Sequence, residues 1–462
     1  METSPRDPMT LRPSEEINAN VGTSSVTMRA GMPMKRTRVR YGILTLLFIG
    51  LVINYLDRAN LALAIPFIGT DLHLNVVEKG LIFSAFGWAY VLMQLPGGFV
   101  IDRLGPRLTY ALSLGTWSII TALQGLVNSA GLLIGLRFGL GLAEAPAFPV
   151  NSRAVAAWFP NKERASAVGI YMSGVYVGLA FLTPVLALIL ANFGWQTMFV
   201  ISGLVGVIYA LIWYWRYRDP KNSRSVNEAE LNYIREGGGL AEGTVEHSKV
   251  NWSEVLELLS HRQFWGMYIG GFTSASMLWF FLTWFPSYLV EARHLSIIKV
   301  GLYAVIPFIG AFLGALLGGA VADWLLRQGL TVGASRKIPI VVGMLLSSII
   351  VLANYLNSID LVITVMSIAF FGQGMSSLCW TLVSDTAPRE LLGVAGGFFN
   401  LFANLGSILT PLLIGFLLAA TGSFNGALLY MTVLALVGAL SYTFVIGKVY
   451  RIELKERPVL GL

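Results

Sequence analysis

Apolar residues recur along the chain in long segments that are separated by shorter polar stretches. A transmembrane α-helix needs roughly 20 predominantly apolar residues, because each residue adds about 1.5 Å to its length. We therefore predict an all-α polytopic membrane protein with twelve transmembrane helices, six on each side of a polar stretch at residues 218–262. The predicted spans are 42–68, 80–101, 108–128, 131–157, 165–191, 196–215, 264–290, 299–325, 337–356, 360–384, 391–420 and 425–447.

This pattern divides the chain into two bundles, a linker and two tails. In the linker, apolar positions at helical spacing predict short amphipathic helices over Asn227–Arg235 and Trp252–Leu259. The predicted regions are a disordered tail (1–40), an N-terminal six-helix bundle (41–217), the linker (218–262), a C-terminal six-helix bundle (263–450) and a second tail (451–462).

Composition and charge agree with a membrane protein. The chain is 55% hydrophobic and 12% charged, with a mean hydropathy of +0.68. Lys79, Arg293 and Lys299 alone lie in odd-numbered loops, whereas most Lys and Arg residues lie in the tails and even-numbered loops. The positive-inside rule then predicts a multi-pass protein of the cell (inner or plasma) membrane with both termini in the cytoplasm. The net charge of +7 follows from this topology and does not indicate nucleic-acid binding.

The first predicted helix carries polar groups near its middle, in the stretch Asn54 to Asn60. Asp57 and Arg58 are adjacent there, and a charged side chain at mid-bilayer costs roughly 2.5–3.5 kcal/mol. The fourth helix carries Arg137 and Glu144, which lie two helical turns apart and so share a face. Charges at this depth either form ion pairs or take part in function, so we expect these four side chains to lie at the centre of the molecule.

The two halves of the chain resemble each other at matching positions. The loop after the second span contains Gly98-x-x-x-Asp102-Arg103-x-Gly105-x-Arg107, and the loop after the eighth contains Gly319-x-x-x-Asp323 followed by Arg327. Repeated halves with a substrate site between them are a common architecture of secondary transporters.

The repeated motif and the six-plus-six pattern resemble the major facilitator superfamily over residues 41–450. Within it, the chain is similar to the anion:cation symporter family, and most similar to its bacterial galactonate and glucarate/galactarate carriers. The resemblance implies proton-driven import of a sugar-acid anion by alternating access. The motifs that carry it are Tyr55-Leu-Asp57-Arg58-Ala-Asn60, Leu136-Arg137-(x)6-Glu144-Ala-Pro-Ala-Phe-Pro149, Trp279-Phe-Phe-Leu-Thr-Trp-Phe-Pro286 and Gly396-Gly-Phe-Phe-Asn400.

The resemblance assigns proton coupling to Asp57 and Glu144. Low dielectric favours the neutral form of a carboxyl group, so such a group can be protonated in one conformation and ionised in another. The structural alternative is a permanent ion pair, for instance Asp57 with Arg137. Residue types alone leave proton and sodium coupling open, and the resemblance implies protons.

Substrate binding is expected from arginine, tyrosine and amide side chains. The resemblance makes Arg58 the ligand of the substrate carboxylate, because a guanidinium fork matches a carboxylate. The alternative for either central arginine is neutralisation of a buried acid, and for each aromatic residue it is helix packing. The predicted substrate-binding residues are Tyr55, Arg58, Tyr90, Gln94, Arg137, Trp380 and Asn400.

A gating role is expected for Asp102, Arg103 and Arg107, which sit where helix ends meet. Arg153, near the end of the fourth helix, is expected to be a structural charge.

Three positions depart from the resembling carriers. Val175 and Gly271 stand where those carriers have Gln, and Cys379 stands where galactonate carriers have Thr. In contrast, Ser384-Asp385-Thr-Ala-Pro388 and Gly422-Ser-Phe-Asn-Gly-Ala-Leu428 look more like the glucarate carriers. The sequence therefore leaves the particular sugar acid open.

Other function classes remain as alternatives. A facilitator or exporter of another organic anion, or a non-transporting sugar-acid sensor, shares the predicted fold. The short tails and linker offer no signalling domain. An enzyme is not expected, since the sequence shows no nucleophile constellation, metal cluster or phosphate-binding loop. We expect no cofactor, the lipid bilayer and a small organic anion with protons as partners, and a functional monomer.

Overall fold

The computed structural model describes residues 36–239, 252–388 and 391–452, and all regular elements among them are helices. The larger parts of both predicted tails and the centre of the linker, residues 1–35, 240–251 and 453–462, lie outside the described residues.

The N-terminal half forms six long helices, α1 to α6. Two pairs of them run into each other through a single non-helical glycine: Gly105 joins α2 to α3, and Gly194 joins α5 to α6. The helices are α1 (Val39–Asp71), α2 and α3 (together Val76–Gln124), α4 (Ala130–Glu144 and Ala147–Trp158), α5 (Asn161–Val177, the π-helical turn Gly178–Leu182 and the first part of Thr183–Arg216) and α6 (the rest of Thr183–Arg216).

The C-terminal half forms α7 to α12. Two short helices of the linker, Glu228–Glu236 and Trp252–Ser260, precede it close to their predicted positions. The helices are α7 (Arg262–Thr283, Phe285–Ser287 and the π-helical turn Tyr288–Ala292), α8 (Ile297–Arg327), α9 (Val332–Ser348 with the 3₁₀ stretch Ile349–Tyr355), α10 (Ile359–Ser376 and Cys379–Thr386), α11 (Leu392–Thr421) and α12 (Asn425–Leu440 with Ser441–Val445).

The twelve-helix prediction is confirmed. Within the part of the chain that the structure describes, nine helical stretches are long and apolar enough to cross a membrane. One of these, Asn161–Arg216, contains both α5 and α6, and the less apolar α3 and α7 complete the set of twelve.

The expected loop around Asp102 and Arg103 is far tighter than the sequence indicates. Gly105 has φ 72° and ψ 165°, and Gly194 has φ 80° and ψ 169°. Both lie at positive φ, where a residue with a Cβ atom is strained. A single glycine therefore reverses the chain at each position, and Asp102 and Arg103 belong to helical backbone rather than to a loop.

The two halves meet closely at one end of the molecule, which carries the turns 72–75, 293–296 and 422–424 and which we call the closed end. Lys79 Nζ of α2 lies 2.7 Å from Glu291 Oε1 of α7. At Gly80 an added Cβ would lie 2.9 Å from the carbonyl oxygen of Pro411 in α11, so α2 and α11 are in backbone contact there. The opposite end, where the linker attaches, is called the linker end.

The first linker helix is fastened to the linker end of the N-terminal half. The buried Glu230 carboxylate accepts hydrogen bonds from Thr37 Oγ1 (2.6 Å), the Val39 backbone N–H (3.0 Å) and Arg40 Nη1 (2.9 Å). Arg40 also pairs with Glu163 at the start of α5 (3.1 Å). Glu230 thereby satisfies backbone N–H groups at the start of α1, which have no partner within the helix.

Candidate functional site

Asp57 and Arg58 of α1 and Arg137 and Glu144 of α4 are buried at the centre of the N-terminal half, and two of them form a tight ion pair. Arg58 Nε donates to Glu144 Oε1 at 3.2 Å, and Arg58 Nη2 bonds the same oxygen. Glu144 Oε2 has no hydrogen-bond partner among the described residues. The pair links α1 to α4, and removal of either member would leave the other charge buried and unpaired.

Aromatic rings enclose the guanidinium of Arg58. Its Cζ lies 4.6 Å from the ring centre of Tyr55, 4.9 Å from Phe86 and 5.4 Å from Trp279. Trp279 belongs to α7 in the opposite half, so the site is completed across the interface between the halves. Rings at these distances stabilise a cation through their negative faces. They leave Arg58 desolvated, which strengthens any bond that it makes to an anion.

Tyr90 and Gln94 continue this surface along α2. Tyr90 is buried, stacks on Phe86 at 5.5 Å between ring centres, and lies 5.9 Å from Arg58 Cζ. Gln94 follows one helical turn later and is partly exposed. Tyr55 and Tyr90 are therefore brought near Arg58, and Gln94 lies beside Tyr90.

Asp57 faces away from Arg58, into the N-terminal half. Its Oδ1 is 3.5 Å from Asn60 Nδ2, and its Oδ2 makes no hydrogen bond with any described residue. Trp117 and Thr121 of α3 direct polar groups towards it without reaching hydrogen-bond geometry. The alternative ion pair of Asp57 with Arg137 is not formed within 4 Å among the described residues, although Asp57 lies within electrostatic range of Arg137 and Glu144 of α4.

Arg137 is buried without a carboxylate partner of its own. Its Cζ lies 5.2 Å from the centre of the Phe86 ring, and its Nε and Nη1 make no hydrogen bond with the described residues. It shares the inner face of α4 with Glu144, as the spacing predicts. An unpaired guanidinium here offers free donors close to the Arg58–Glu144 pair.

The C-terminal half places polar side chains on α7, α10 and α11. Ser274 Oγ of α7 lies 2.8 Å from Ser376 Oγ of α10. Gln373 is buried with no partner for its Oε1 among the described residues. On α11, Asn404 Nδ2 donates to the carbonyl oxygen (2.8 Å) and to Oδ1 (3.0 Å) of Asn400. Such groups are suited to hydroxyls.

Trp380 and Asn400 lie in this half. Two of the positions that depart from the resembling carriers, Gly271 and Cys379, take part in helix packing here. Trp380 is 47% exposed and packs edge-on against Phe399 at 4.6 Å. At Gly271 an added Cβ would lie 2.6 Å from the Phe399 ring, so that ring fills the space of the missing side chain. Cys379 belongs to the packed cluster of Phe399 and Tyr442. Val175, the third divergent position, is buried in the core of the N-terminal half.

The expected gating residues join helix ends at the linker end. Asp102 Oδ1 accepts a bond from Arg153 Nη1 at 2.7 Å, which links α2 to α4. Arg107 Nε donates to the Tyr214 carbonyl oxygen at 2.8 Å, which links α3 to α6. Arg103 is exposed. Arg153 is thus the ion-pair partner of Asp102.

The C-terminal half has a related charge pair, but it joins a different pair of helices. Asp323 of α8 lies 3.2 Å from Arg336 of α9, and Arg336 also lies 3.8 Å from Asp385 of α10. The aspartate of the repeated motif is therefore ion-paired at a helix end in both halves, with Arg153 of α4 in the N-terminal half and with Arg336 of α9 in the C-terminal half.

The chain matches a known protein family over most of its length. The model of the Major Facilitator Superfamily matches residues 47–411. The chain belongs to the major facilitator superfamily. Its members are membrane transporters, so this chain is a multi-pass membrane protein and not an enzyme.

Two curated relatives are similar over nearly the whole chain. A "D-galactonate transporter" of Escherichia coli O6:H1 is 45% identical over 92% of this chain and 99% of its own length. A "Probable galactarate/D-glucarate transporter" of Bacillus subtilis is 44% identical over 92% of this chain and 95% of its own length.

Solved structures agree on the fold. A bacterial homologue of the lysosomal transporter Spinster, described as inward-facing and occupied, has a TM-score of 0.64 at 19% identity over 88% of this chain and 96% of its own. The nucleoside transporter NupG (D323A mutant) has a TM-score of 0.67 at 14% identity over 89% of this chain and all of its own.

Several residues of this site escape the sequence analysis. Trp279 lies in one of the motifs that carry the family resemblance, and it reaches Arg58 because the two halves pack together. Ser274, Ser376 and Gln373 are common residues in apolar helices and carry no distinctive spacing. Arg153 could have been paired with Asp102, because both lie at helix ends on the same side of the membrane.

Proposed function

We propose that the protein is a secondary transporter that imports a sugar-acid anion together with protons across the cell membrane. The names of the relatives support the substrate class, since they are transporters of D-galactonate and of galactarate/D-glucarate. The observation that carries the proposal is the buried Arg58–Glu144 pair, enclosed by aromatic rings from both halves.

Arg58 and Glu144 provide the coupling. While Glu144 is ionised, it holds the guanidinium of Arg58. Protonation of Glu144 removes that charge, and the planar fork of Arg58 becomes available to the substrate carboxylate. Substrate binding favours protonation for the same reason, because coupling free energies are reciprocal.

The C-terminal half reads the hydroxyl groups of the substrate. Asn400, Gln373 and the Ser274–Ser376 pair offer both donors and acceptors, and Trp380 offers an aromatic face to C–H edges. Asp57 is the second proton site, and Arg137 adds positive charge beside the carboxylate. The site is complete within one chain, so we propose a functional monomer.

The orientation follows from charge. We place the linker end, both termini and the Asp102–Arg153 pair in the cytoplasm, as the distribution of Lys and Arg favours. The closed end is then extracellular. The Asp102–Arg153 pair and Arg107 brace the helix ends that move when the cytoplasmic side closes.

Uptake by purified protein in proteoliposomes tests this function. Labelled galactonate, galactarate, glucarate and glucuronate are supplied with an inward proton gradient, with empty liposomes and a protonophore as controls. We expect uphill uptake of one or two of the four acids, abolished by the protonophore. Uptake that is unaffected by the protonophore and requires sodium would contradict proton coupling. Binding of an acid without uptake would indicate a sensor.

A further inference from the structure

Asp57 poses a problem for proton release, because it is only 1% exposed and its free oxygen, Oδ2, faces the interior of the N-terminal half. A proton that enters on Asp57 has to reach the linker end to complete the cycle. The protein around it contains an unusual number of buried polar atoms without a hydrogen-bond partner in the described residues.

These atoms are aligned on three helices that face one another. On α1, Gly50, Asn54 and Asp57 are spaced by four and three residues, so they share one face. Asn54 is buried, and neither its Oδ1 nor its Nδ2 has a partner among the described residues. On α4, Asn151 follows Glu144 by seven residues and is equally buried and unpartnered.

Tyr110 of α3 connects these two helices. Its hydroxyl lies against the backbone at Gly50, where an added Cβ would overlap it, and it faces Asn151 without forming a hydrogen bond. The hydroxyl of neighbouring Thr109 is also buried and has no partner in the described chain.

The polar face leads from the carboxyl groups towards the linker end. Gly50 precedes Asp57 by seven residues on α1, and Asn151 follows Glu144 by seven on α4, which corresponds to about 10 Å along each helix. Buried polar groups in folded proteins are almost always satisfied, and those without a protein partner are satisfied by ordered water. Amide and hydroxyl groups spaced in this way hold water in a file.

We propose that Asn54, Tyr110 and Asn151 hold a file of water that carries the proton from Asp57 to the linker end. The inference rests on the proposed proton coupling and adds the route of release. The side chains exchange no proton themselves: each water accepts a proton from one neighbour and passes another on, and the asparagine and tyrosine groups fix the waters in place.

The test separates proton release from movement of the loaded carrier. Asn151→Leu and Asn54→Leu remove the polar groups and keep the number and branching of the side-chain heavy atoms. Substrate-driven acidification of the proteoliposome lumen is followed with a pH dye, and substrate counterflow is measured in the same preparations at equal acidic pH on both sides. Tyr268→Phe is the matched control, because its buried hydroxyl is also unpartnered among described residues but lies in the C-terminal half.

We expect either leucine variant to lower the initial rate of acidification by about tenfold, the kinetic equivalent of one lost hydrogen bond. Counterflow remains within about twofold of the wild type, because exchange of the protonated carrier needs no release. Tyr110→Phe, which deletes one atom and carries little risk of misfolding, shows the same pattern more weakly, and Tyr268→Phe shows neither change.

A parallel loss of acidification and counterflow would show a merely structural role and overturn the route. Unchanged acidification in the variants would overturn it as well. Substrate accumulation by the wild type without luminal acidification would instead overturn proton coupling itself, so the two failures are distinguishable.

Discussion

The interiors of the two halves differ in what they bury. Between α1 and α4, the N-terminal half encloses Asp57, Arg58, Arg137 and Glu144, whereas the described residues of the C-terminal half bury no charged side chain. Burial of a charged side chain in a low-dielectric interior costs free energy, so such side chains are usually found where they take part in function. Burial of hydroxyl and amide groups costs less free energy, and these groups can form hydrogen bonds with the hydroxyl groups of a polyol. We infer that the N-terminal half couples transport to protons and that the C-terminal half, called the selecting half below, determines which sugar acid is bound.

Loss of Arg58 should have the largest effect. Arg58→Ala removes the carboxylate ligand, and we expect no measurable substrate binding at any pH. It also strands Glu144, at a cost of roughly 3–5 kcal/mol of stability. The double variant Arg58→Ala/Glu144→Gln relieves that cost and should still not bind. Calorimetric titration with the preferred acid measures this, and wild-type affinity in either variant would remove Arg58 from the site.

Neutralisation of Glu144 should uncouple transport. Glu144→Gln preserves the shape of the side chain and mimics the protonated form, so we expect uphill accumulation to vanish while substrate exchange persists. Asp360→Asn is the control, because the Asp360 carboxylate lies near the closed end of the C-terminal half, where it accepts a hydrogen bond from Tyr303. Intact accumulation by Glu144→Gln would show that the charges of the N-terminal half are structural.

A methyl group at Gly271 should disturb the selecting half. In Gly271→Ala the new Cβ would meet the Phe399 ring, and overpacking of this kind costs about 1–3 kcal/mol. We expect a lower unfolding temperature and altered substrate preference, because Phe399 supports Trp380. Gly319→Ala on α8 is the control, because an added Cβ there would have no atom within 4 Å. It should leave the unfolding temperature and the substrate preference unchanged. Equal effects of the two variants would contradict this packing argument.

Removal of the Asn400 amide should weaken binding without uncoupling transport. Loss of one hydrogen bond to a hydroxyl corresponds to about a threefold to tenfold loss of affinity. Asn400→Ala should therefore raise the half-saturating concentration by that factor and leave luminal acidification per substrate unchanged. Asn192→Ala, an exposed amide on α5, serves as control. Changed acidification per substrate would break the division of labour between the halves.

The ion pair at the closed end should have the smallest effect on stability. Lys79 and Glu291 join the halves, but Glu291 is partly exposed, and such pairs contribute about 0–1 kcal/mol. Lys79→Met and Glu291→Gln should each lower the unfolding temperature slightly, and the exchanged pair Lys79→Glu/Glu291→Lys should restore it. A coupling free energy well above that range in a double-mutant cycle would show that the closed end is more rigid than its contacts indicate.

The sequence predicts the helices well because a membrane span is a long-range property of composition. It also marks Asp57, Arg58, Arg137 and Glu144, since charges stand out in apolar segments. It does not predict that Arg58 pairs with Glu144, because that depends on how α1 and α4 rotate against each other when they pack.

Three further features cannot be predicted from the sequence, for related reasons. The single-residue turns at Gly105 and Gly194 depend on backbone angles that hydropathy does not report. Trp279 contacts Arg58 only through the packing of the two halves, which no spacing within one segment can indicate. The polar file of Asn54, Tyr110 and Asn151 joins three helices and emerges only once they are assembled.

The most direct test of the account compares one variant from each half in the same proteoliposomes. For Glu144→Gln and Asn400→Ala, luminal acidification per substrate gives the coupling, and competition between galactonate and galactarate in exchange gives the selectivity. We predict that Glu144→Gln loses coupling and keeps wild-type selectivity, while Asn400→Ala keeps coupling and changes selectivity. If either variant changes both quantities, coupling and recognition are not divided between the two halves.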